Sequence, residues 1–217
     1  MTWPHAEVAG IAALSLRVAL LATAVACALG IPVGLWLGTT AFRGRRALLL
    51  AVNTLLAVPT VVVGLAIYLL LSRHGPLGGL GLLFTWPAIV VAEVVLAFPI
   101  AAALSAAAVQ AADPRIHRTA LTLGAGPVRA AFAVAREARL ALGAAVVVAF
   151  ARVLSEVGAA MIVGGNIRHQ TRTLTTAVAL ATSQGNFALA IALGLVLLAL
   201  ALTVNALILM LQGRGDV

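Results

Sequence analysis

DPRIHRTALTLGAGP, residues 113–127, carries the signals of a short helix with its own start and stop. Asp113 and Pro114 are typical of a helix start, because Asp favours the N-cap and proline favours the first helical position. Gly124 is typical of the position just past a C-cap, where the backbone turns left-handed. The pattern predicts a helix of about ten residues that runs from Pro114 to Leu123.

A second helix follows in the same connection. Gly126-Pro127 repeats the start signal, and the helix is expected to run through Phe132 towards the next apolar segment. The connection as a whole covers residues 110–139. It is about 30 residues long, but the pattern indicates ordered structure rather than a flexible linker.

The first of these helices mixes apolar and basic side chains. Its apolar members are Ile116, Ala120, Leu121 and Leu123, and its basic members are Arg115, His117 and Arg118. Such a helix either inserts into a groove on a soluble partner or lies on lipid headgroups. The residues alone favour neither reading.

The flanking sequence is that of an all-α membrane protein. Of the 217 residues, 63% are hydrophobic and only 9% are charged, and a water-soluble chain of this size could not bury so much apolar surface. A spanning helix needs about 20 apolar residues. Five stretches meet this length and form one transmembrane domain; they lie at about 11–37, 47–71, 86–109, 140–163 and 187–211. Three of them contain a proline, which predicts kinked, packed helices: Pro32 (within Gly30-Ile31-Pro32), Pro59 and Pro99.

The arginines set the orientation of these spans. With the N-terminus outside and the C-terminus inside, nine arginines lie on the cytoplasmic side: Arg43, Arg45, Arg46, Arg115, Arg118, Arg129, Arg136, Arg139 and Arg214. Three lie outside, namely Arg73, Arg168 and Arg172. This excess follows the positive-inside bias, so the connection 110–139 is expected to be cytoplasmic. The net charge of +8 therefore reflects topology, and no nucleic-acid partner is expected.

Several kinds of chemistry are not expected of this chain. The single cysteine, Cys27, lies in an apolar run, and no His or Cys pair has the spacing of a metal site. The sequence contains no lysine and no phosphate-binding loop, so the chain cannot hydrolyse ATP itself. We expect no enzyme activity, no metal and no bound cofactor.

Arg118-Thr119-Ala120-Leu121-Thr122-Leu123-Gly124-Ala125 resembles the Glu-Ala-Ala loop of ABC importer permeases. Ala120 and Gly124 occupy matching positions, whereas Arg118 stands where the family has Glu, and Arg136-Glu137 replaces a later Leu-Pro. The resemblance implies a coupling helix that docks on an ATPase subunit. It assigns this contact to Arg115, His117, Arg118, Thr119, Ala120, Leu121, Gly124 and Ala125.

A longer resemblance lies in LSEVGAAMIVGGNI, residues 154–167, and continues in TRTLTTA, residues 171–177. Both stretches resemble permeases of oxyanion importers, the tungstate, molybdate and sulfate group, and resemble the tungstate type most. The segments 54–65 and 75–78 also fit, so the resemblance covers nearly the whole chain.

The resemblance implies a fold and a set of partners. The fold is that of type I ABC importer permeases, in the cytoplasmic membrane of a bacterium or archaeon. Two copies would form one translocation path, an ATPase subunit would bind and hydrolyse ATP, and an extracytoplasmic binding protein would deliver the oxyanion.

A candidate gate follows from the same region. Its residues are Ser155, Glu156, Gly164, Gly165, Asn166, Arg168, Arg172 and Thr173. Arg168 and Arg172 are cations at the external mouth, and Thr171, Thr173, Thr175 and Thr176 offer hydroxyl donors to an anion. Alternatively, the two arginines contact a partner protein or headgroups.

Two carboxylates fall within the spans. Glu156 lies four residues after Arg152, so the two either form a packing pair or act in a gate or subunit contact. Glu93 has Arg17 as its most obvious opposite charge; alternatively, it is a helix-end residue in the headgroup region. A proton- or sodium-coupled carrier would use one of these carboxylates as its titrating group, and a purely structural membrane protein would use neither.

Overall fold

The computed structural model describes residues 5–213, and this part of the chain is helical with no strand. Arg214, counted above among the cytoplasmic arginines, lies outside the described residues. Ten α-helices follow one another: α1 His5–Thr39, α2 Arg45–Leu56, α3 Thr60–Leu71, α4 Trp86–Ala111, α5 Pro114–Thr122, α6 Pro127–Glu137, α7 Arg139–Leu154, α8 Gly158–Gly164, α9 Leu174–Ser183 and α10 Phe187–Gly213. A short 3₁₀ turn, Gly78–Leu80, lies between α3 and α4.

The helices α1 and α4 make the most extensive contact of any described pair of helices. Three glycines of α1, spaced four residues apart, face α4: Gly30, Gly34 and Gly38. A Cβ atom at Gly34 would lie 2.5 Å from the carbonyl oxygen of Ala102 and 2.6 Å from the Cβ of Ser105. The two backbones therefore approach to a distance that no larger side chain permits, as in other membrane helix pairs built on small residues.

Many large apolar side chains lie on the outside of the fold. Many buried residues are alanines, whereas large side chains of α10 are exposed, among them Phe187, Ile191 and Leu195, each more than 60% exposed. A soluble protein would bury such side chains, and a chain dissolved in lipid need not. The membrane prediction from composition agrees with this distribution.

The five predicted spans correspond to three long helices and two bent pairs. The helices α1, α4 and α10 are each long and apolar enough to cross a membrane. The pair α2 and α3 is bent by 97°, and the pair α7 and α8 by 57°. Counting each pair as one span gives five.

The prolines act differently in the three spans that contain them. The helix ends just before Pro59, which cannot donate a backbone hydrogen bond and disfavours helix at the preceding Val58. By contrast, α1 continues through Pro32 and α4 through Pro99 without interruption. Gly30-Ile31-Pro32 does not end its helix, because the glycines on both sides of the proline are held against α4.

The two bends meet inside the fold. A Cβ atom at Gly158, the first residue of α8, would lie 3.0 Å from the Cγ2 of Val61 and 3.1 Å from the Oγ1 of Thr60. One turn further on, a Cβ atom at Gly64 would lie 2.8 Å from the Cα of Ala159. The starts of α3 and α8 are therefore in direct contact, so the interruptions of both spans lie side by side.

We expect Gly34→Ala to destabilise the protein, because the added methyl group overlaps the backbone of α4. Overpacking of this kind costs about 1–3 kcal/mol. Gly10→Ala in the same helix is the matched control, since nothing lies within 4 Å of its Cβ position. Thermal unfolding of the purified protein in detergent measures both variants, and equal midpoints would contradict the α1–α4 packing.

Candidate functional site

The cytoplasmic connection folds into a hairpin of α5 and α6. The Asp113 carboxylate accepts a hydrogen bond of 2.8 Å from the backbone N–H of Arg115, as predicted for an N-cap. At the other end Gly124 has φ +86°, and the N–H of Ala125 donates to the carbonyl of Ala120 at 3.0 Å. This is the Schellman arrangement that requires a left-handed residue. The predicted helix is confirmed with an end one residue earlier, at Thr122, and the restart at Pro127 is confirmed.

The hairpin exposes apolar side chains. Leu123 is 83% exposed, Val128 72% and Phe132 69%, and Leu121 is also exposed. We call these four residues the hairpin patch. Among the residues assigned to coupling, Arg115, Arg118, Thr119, Leu121 and Gly124 are exposed, while His117, Ala120 and Ala125 are half-buried. Their contact with an ATPase stays a prediction.

A cavity of about 270 Å³ opens beside α5, between the hairpin and the cytoplasmic ends of α1 and α4. Its lining includes His117 and Arg118 of α5 together with Gln110 of α4. His117 and Arg118, two of the residues assigned to coupling, therefore border the same recess, whose lining is both polar and apolar.

The second candidate region is the bend between α7 and α8. The Nη1 of Arg152 donates to the Oε2 of Glu156 at 2.8 Å, so the predicted packing pair is confirmed. The other carboxylate oxygen of Glu156 accepts from the backbone N–H of Ala159 at 3.0 Å. The Thr175 hydroxyl donates to the backbone carbonyl of Glu156 at 2.7 Å. Glu156 therefore forms hydrogen bonds with groups on both sides of the bend. Its part in a gate stays a prediction.

Glu93 does not pair with Arg17, so that prediction is wrong. The Arg17 guanidinium lies over the ring of Trp86, 4.0 Å from its centroid, where the π-face supplies a favourable electrostatic contact. Glu93 is 3% exposed, and its Oε2 has no hydrogen-bond partner in the described part of the chain. The tryptophan at the start of α4 was therefore a better partner for this arginine than the carboxylate deeper in the same helix.

The external connection between α8 and α9 is tied to the start of α1. The carboxylate of Glu7 accepts two hydrogen bonds from Arg168, 2.8 Å from Nε and 2.6 Å from Nη2. The Nη1 of Arg172 lies 3.9 Å from the same carboxylate. The hydrogen bond from Arg168 to Glu7 raises the pKa of this guanidinium above its ordinary value. No local sequence signal marks Glu7 as the partner of Arg168, because the two residues lie 161 positions apart.

The paired glycines Gly164 and Gly165 serve two different purposes. Gly165 has φ +70° and ends α8 in the left-handed region. A Cβ atom at Gly164 would lie 2.7 Å from the Cδ1 of Ile89, so this glycine allows close approach to α4. Asn166 follows with φ +49° and accepts from the Nε of Arg172 at 3.2 Å.

The four threonines that could have offered hydroxyls to an anion are buried and bonded to the protein itself. Thr173 and Thr176 form the capping box of α9, and the hydroxyls of Thr173 and Thr175 lie 3.0 Å apart. Thr171 donates to the carbonyl of Gly164. These hydroxyl groups stabilise the loop, so their predicted donation to an anion has no support in the geometry.

Five of the eight predicted gate residues nevertheless belong to one chain of polar contacts: Glu156, Asn166, Arg168, Arg172 and Thr173. Hydrogen bonds lead from Glu156 through Thr175 to Thr173 and Thr176, and the amide of Asn166 lies 3.5 Å from the carbonyl of Thr176. Arg172 joins Asn166 to Glu7, and Glu7 binds Arg168. We call this chain the polar network. Within the described residues no group of three or more His, Cys, Asp or Glu could hold a metal ion.

Comparison with known proteins adds the following relatives. Residues 30–214 match the family described as "Binding-protein-dependent transport system inner membrane component". The tungstate uptake system permease protein TupB of Peptoclostridium acidaminophilum is 42% identical over 165 residues, which cover 76% of this chain and 72% of the relative. A probable anion ABC transporter permease protein of Haloferax volcanii is 42% identical over 173 residues, covering 77% of this chain and 75% of the relative.

The fold is also found among solved structures. A crystal structure of an amino acid ABC transporter with histidines aligns with a TM-score of 0.65 and covers 99% of this chain and 100% of that chain. The sequence identity is 17%, so this likeness concerns the fold alone.

We expect Glu7→Gln to loosen the external loop, because Arg168 and Arg172 lose their shared counter-charge. Backbone amides at 166–172 should exchange their hydrogens faster, by about tenfold, because local opening of the loop becomes easier. Glu137→Gln, at an exposed carboxylate at the end of α6, is the control. Unchanged exchange in the Glu7 variant, measured by mass spectrometry, would show that the ion pair does not hold this loop.

Proposed function

Because the chain belongs to the family of binding-protein-dependent transport system inner membrane components, we propose that it is the permease subunit of an ATP-driven ABC importer for an oxyanion, tungstate in the first place. Two copies of the chain form the translocation path in the cytoplasmic membrane of a bacterium or archaeon. A separate ATPase subunit binds each copy, and an extracytoplasmic binding protein delivers the anion.

The observation that carries the coupling to an ATPase is the α5–α6 hairpin with its exposed patch. Leu123, Val128 and Phe132 are among the most exposed large apolar side chains of the chain, and they stand on a rigid, capped element. A helix that offers apolar side chains beside Arg115 and Arg118 fits a groove on a soluble subunit. Lipid headgroups are the alternative occupant of this patch.

A second copy is supported by the surface around the two bends. Asn53 and Thr54 near the end of α2 are exposed, Ser155 is exposed, and the Arg152 side chain is 36% exposed. Irregular backbone and charged groups at membrane depth are tolerated only against protein or water, because lipid cannot satisfy them. We infer that this face lies towards the second copy and borders the path between the two.

The choice of tungstate rests on relatives whose names state tungstate uptake or anion transport. Molybdate and sulfate are tetrahedral dianions of the same class, so a permease for one of these is the first alternative. In such a system the binding protein selects the anion, and the permease needs only to let it pass.

One observation favours a different mechanism. Glu93 is buried in α4 and one of its carboxylate oxygens has no partner among the described residues, which is what a titrating group of an ion-coupled carrier would require. We keep this carrier as the second candidate function.

Transport in vesicles separates the two mechanisms. We expect the chain, reconstituted with its ATPase and binding protein, to take up tungstate only when ATP is supplied on the cytoplasmic side. Molybdate and sulfate serve as competing anions. Uptake driven by a proton or sodium gradient in the absence of ATP would favour the carrier and overturn the importer.

Gly124→Val should uncouple ATP hydrolysis from uptake. A β-branched residue is strained at φ +86°, so the end of α5 must change conformation, although nothing lies within 4 Å of the Cβ position to cause a clash. We expect uptake to fall at least about tenfold, since backbone strain of this kind costs about 1–3 kcal/mol.

Gly126→Ala is the matched control for this variant. It also has an open Cβ position, and its φ of −65° suits any residue. If both variants and the unmodified complex take up the same amount of anion per ATP hydrolysed, the end of α5 has no role in coupling.

A further inference from the structure

We propose that the guanidinium of Arg152 is the point inside the membrane at which the passing oxyanion is contacted. This inference rests on the proposed function and names a residue that would act on the substrate within the path. Its ligand class is a tetrahedral dianion such as tungstate, which accepts hydrogen bonds on every oxygen.

Cations are scarce at this depth. Arg17 and Arg152 are the two basic residues in the five predicted spans. Arg17 lies against the ring of Trp86 at the external start of α4. Arg152 instead lies in the last turn of α7, three residues before the break of its span. A dianion that crosses the membrane needs positive charge along its way, and Arg152 is the one placed beside the uncovered break.

Arg152 keeps guanidinium donors that bind no group of the described residues. A guanidinium carries five N–H groups. In the described part of the chain its one hydrogen-bond partner is Glu156, through Nη1. The Arg152 side chain is 36% exposed and that of Glu156 is 3% exposed. The guanidinium donors that do not bind Glu156 are therefore accessible from the surface of the chain, while the carboxylate is buried.

Two hydroxyl groups border the same place. Ser155 is exposed, and its hydroxyl donates to the carbonyl of Arg152 at 3.0 Å, which leaves its oxygen close to the arginine backbone. Thr60 stands across the break: a Cβ atom at Gly158 would lie 3.1 Å from its Oγ1 and 3.6 Å from the Oε1 of Glu156. The Thr60 hydroxyl has no hydrogen-bond partner among residues 5–213 and remains available as a donor.

The ion pair with Glu156 suits a transient binding site, from which the anion must also be released. An unpaired arginine in a low-dielectric surrounding would hold a dianion too tightly for release, and conduction requires a site that the ion can also leave. Glu156 offsets much of the positive charge and is itself satisfied by the N–H of Ala159. Arg152 therefore attracts the anion weakly while its position stays fixed.

The arginines of the external loop are less suited to this role. Arg168 binds Glu7 through two nitrogen atoms, and Arg172 contacts Asn166 and Glu7. Both lie on the loop that follows α8 and not at the break between α7 and α8.

The first test removes both charges at once. Arg152→Gln/Glu156→Gln leaves no buried unpaired charge, so the bend is expected to persist. If Arg152 serves the anion, tungstate uptake by the complete complex falls at least about tenfold while ATP hydrolysis stimulated by the binding protein continues. If the pair only stabilises packing, the neutral double variant transports at the original rate, and the proposal is overturned.

A single charge change gives a signature that loss of stability would not produce. Glu156→Gln keeps the arginine and removes its compensation, so the anion is held longer. Both the KM and the maximal rate of uptake should fall. Arg17→Gln, the other arginine within the spans, is the control and should retain uptake per assembled complex. A raised or unchanged KM in the Glu156 variant contradicts the proposal.

A labelling experiment keeps the proposal testable should the double variant not fold. Ser155→Cys is a small change at an exposed position, and the native Cys27 is buried. We expect a negatively charged thiol reagent to modify Cys at 155 in the ATP-bound complex, and excess tungstate to slow the reaction. Leu195→Cys on the apolar face of α10 should not react. No reaction at 155, or a rate that tungstate does not change, overturns the proposal.

The outcomes for this inference and for the proposed function differ. If the unmodified complex shows no ATP-dependent uptake of any oxyanion, the proposed function is wrong. If it transports and the double variant transports equally well, only the role of Arg152 is wrong.

Discussion

The close contact between α1 and α4 is the constraint on which the rest of the structure depends. Because Gly30, Gly34 and Gly38 carry no side chain, the long first helix lies directly against the backbone of α4. This fixes both of its ends. At the external end, Glu7 reaches Arg168 and the hydroxyl of Ser15 accepts from the N–H of Leu174 at 2.7 Å. At the cytoplasmic end, α1 borders the hairpin.

The positions of the two bends depend on this α1–α4 contact. The buried face of α4 supports α8, where Ile89 occupies the space left by Gly164. With α8 held in this way, the interrupted backbone between α7 and α8 needs partners of its own, and Glu156 supplies them. The polar network then continues to the external loop, so five of the positions predicted as a gate are connected even though the roles of their side chains differ. The arginines expected to face an anion bind Glu7, and their contact with an anion stays a prediction, whereas the threonines bind one another.

The sequence predicted what depends on neighbours in the chain. The start and end of α5 follow from Asp113, Pro114 and Gly124, whose conformations are decided within a few residues, and the spans follow from their composition. Contacts between distant residues could not be predicted in the same way. The Glu7–Arg168 pair joins residues that lie 161 positions apart in the chain. Arg17 contacts Trp86 rather than Glu93 because of the depth of each residue in α4.

Two other structural features differ in how clearly the sequence indicates them. The spacing of four residues between Gly30, Gly34 and Gly38 is a pattern of close membrane helix packing, and it indicates the contact with α4 more directly than Pro32 does. The break at 155–157 has no proline to announce it, and only Gly158 marks it in the sequence. Its cause is the packing of α8 against α3 and α4.

The geometry also gives a mechanical reason for the proposed coupling. One residue, Ala138, separates the end of α6 from the start of α7, and its N–H donates to the carbonyl of Val134 at 2.9 Å, so the two helices join with little freedom between them. A partner that moves the hairpin must therefore move α7 as well, since a helix transmits displacement along its axis without much bending. The far end of α7 is the turn that carries Arg152. The same rigid element thus has the hairpin patch at one end and the intramembrane arginine at the other, and a movement of the hairpin would change the position of Arg152 relative to Thr60 on the opposite side of the break.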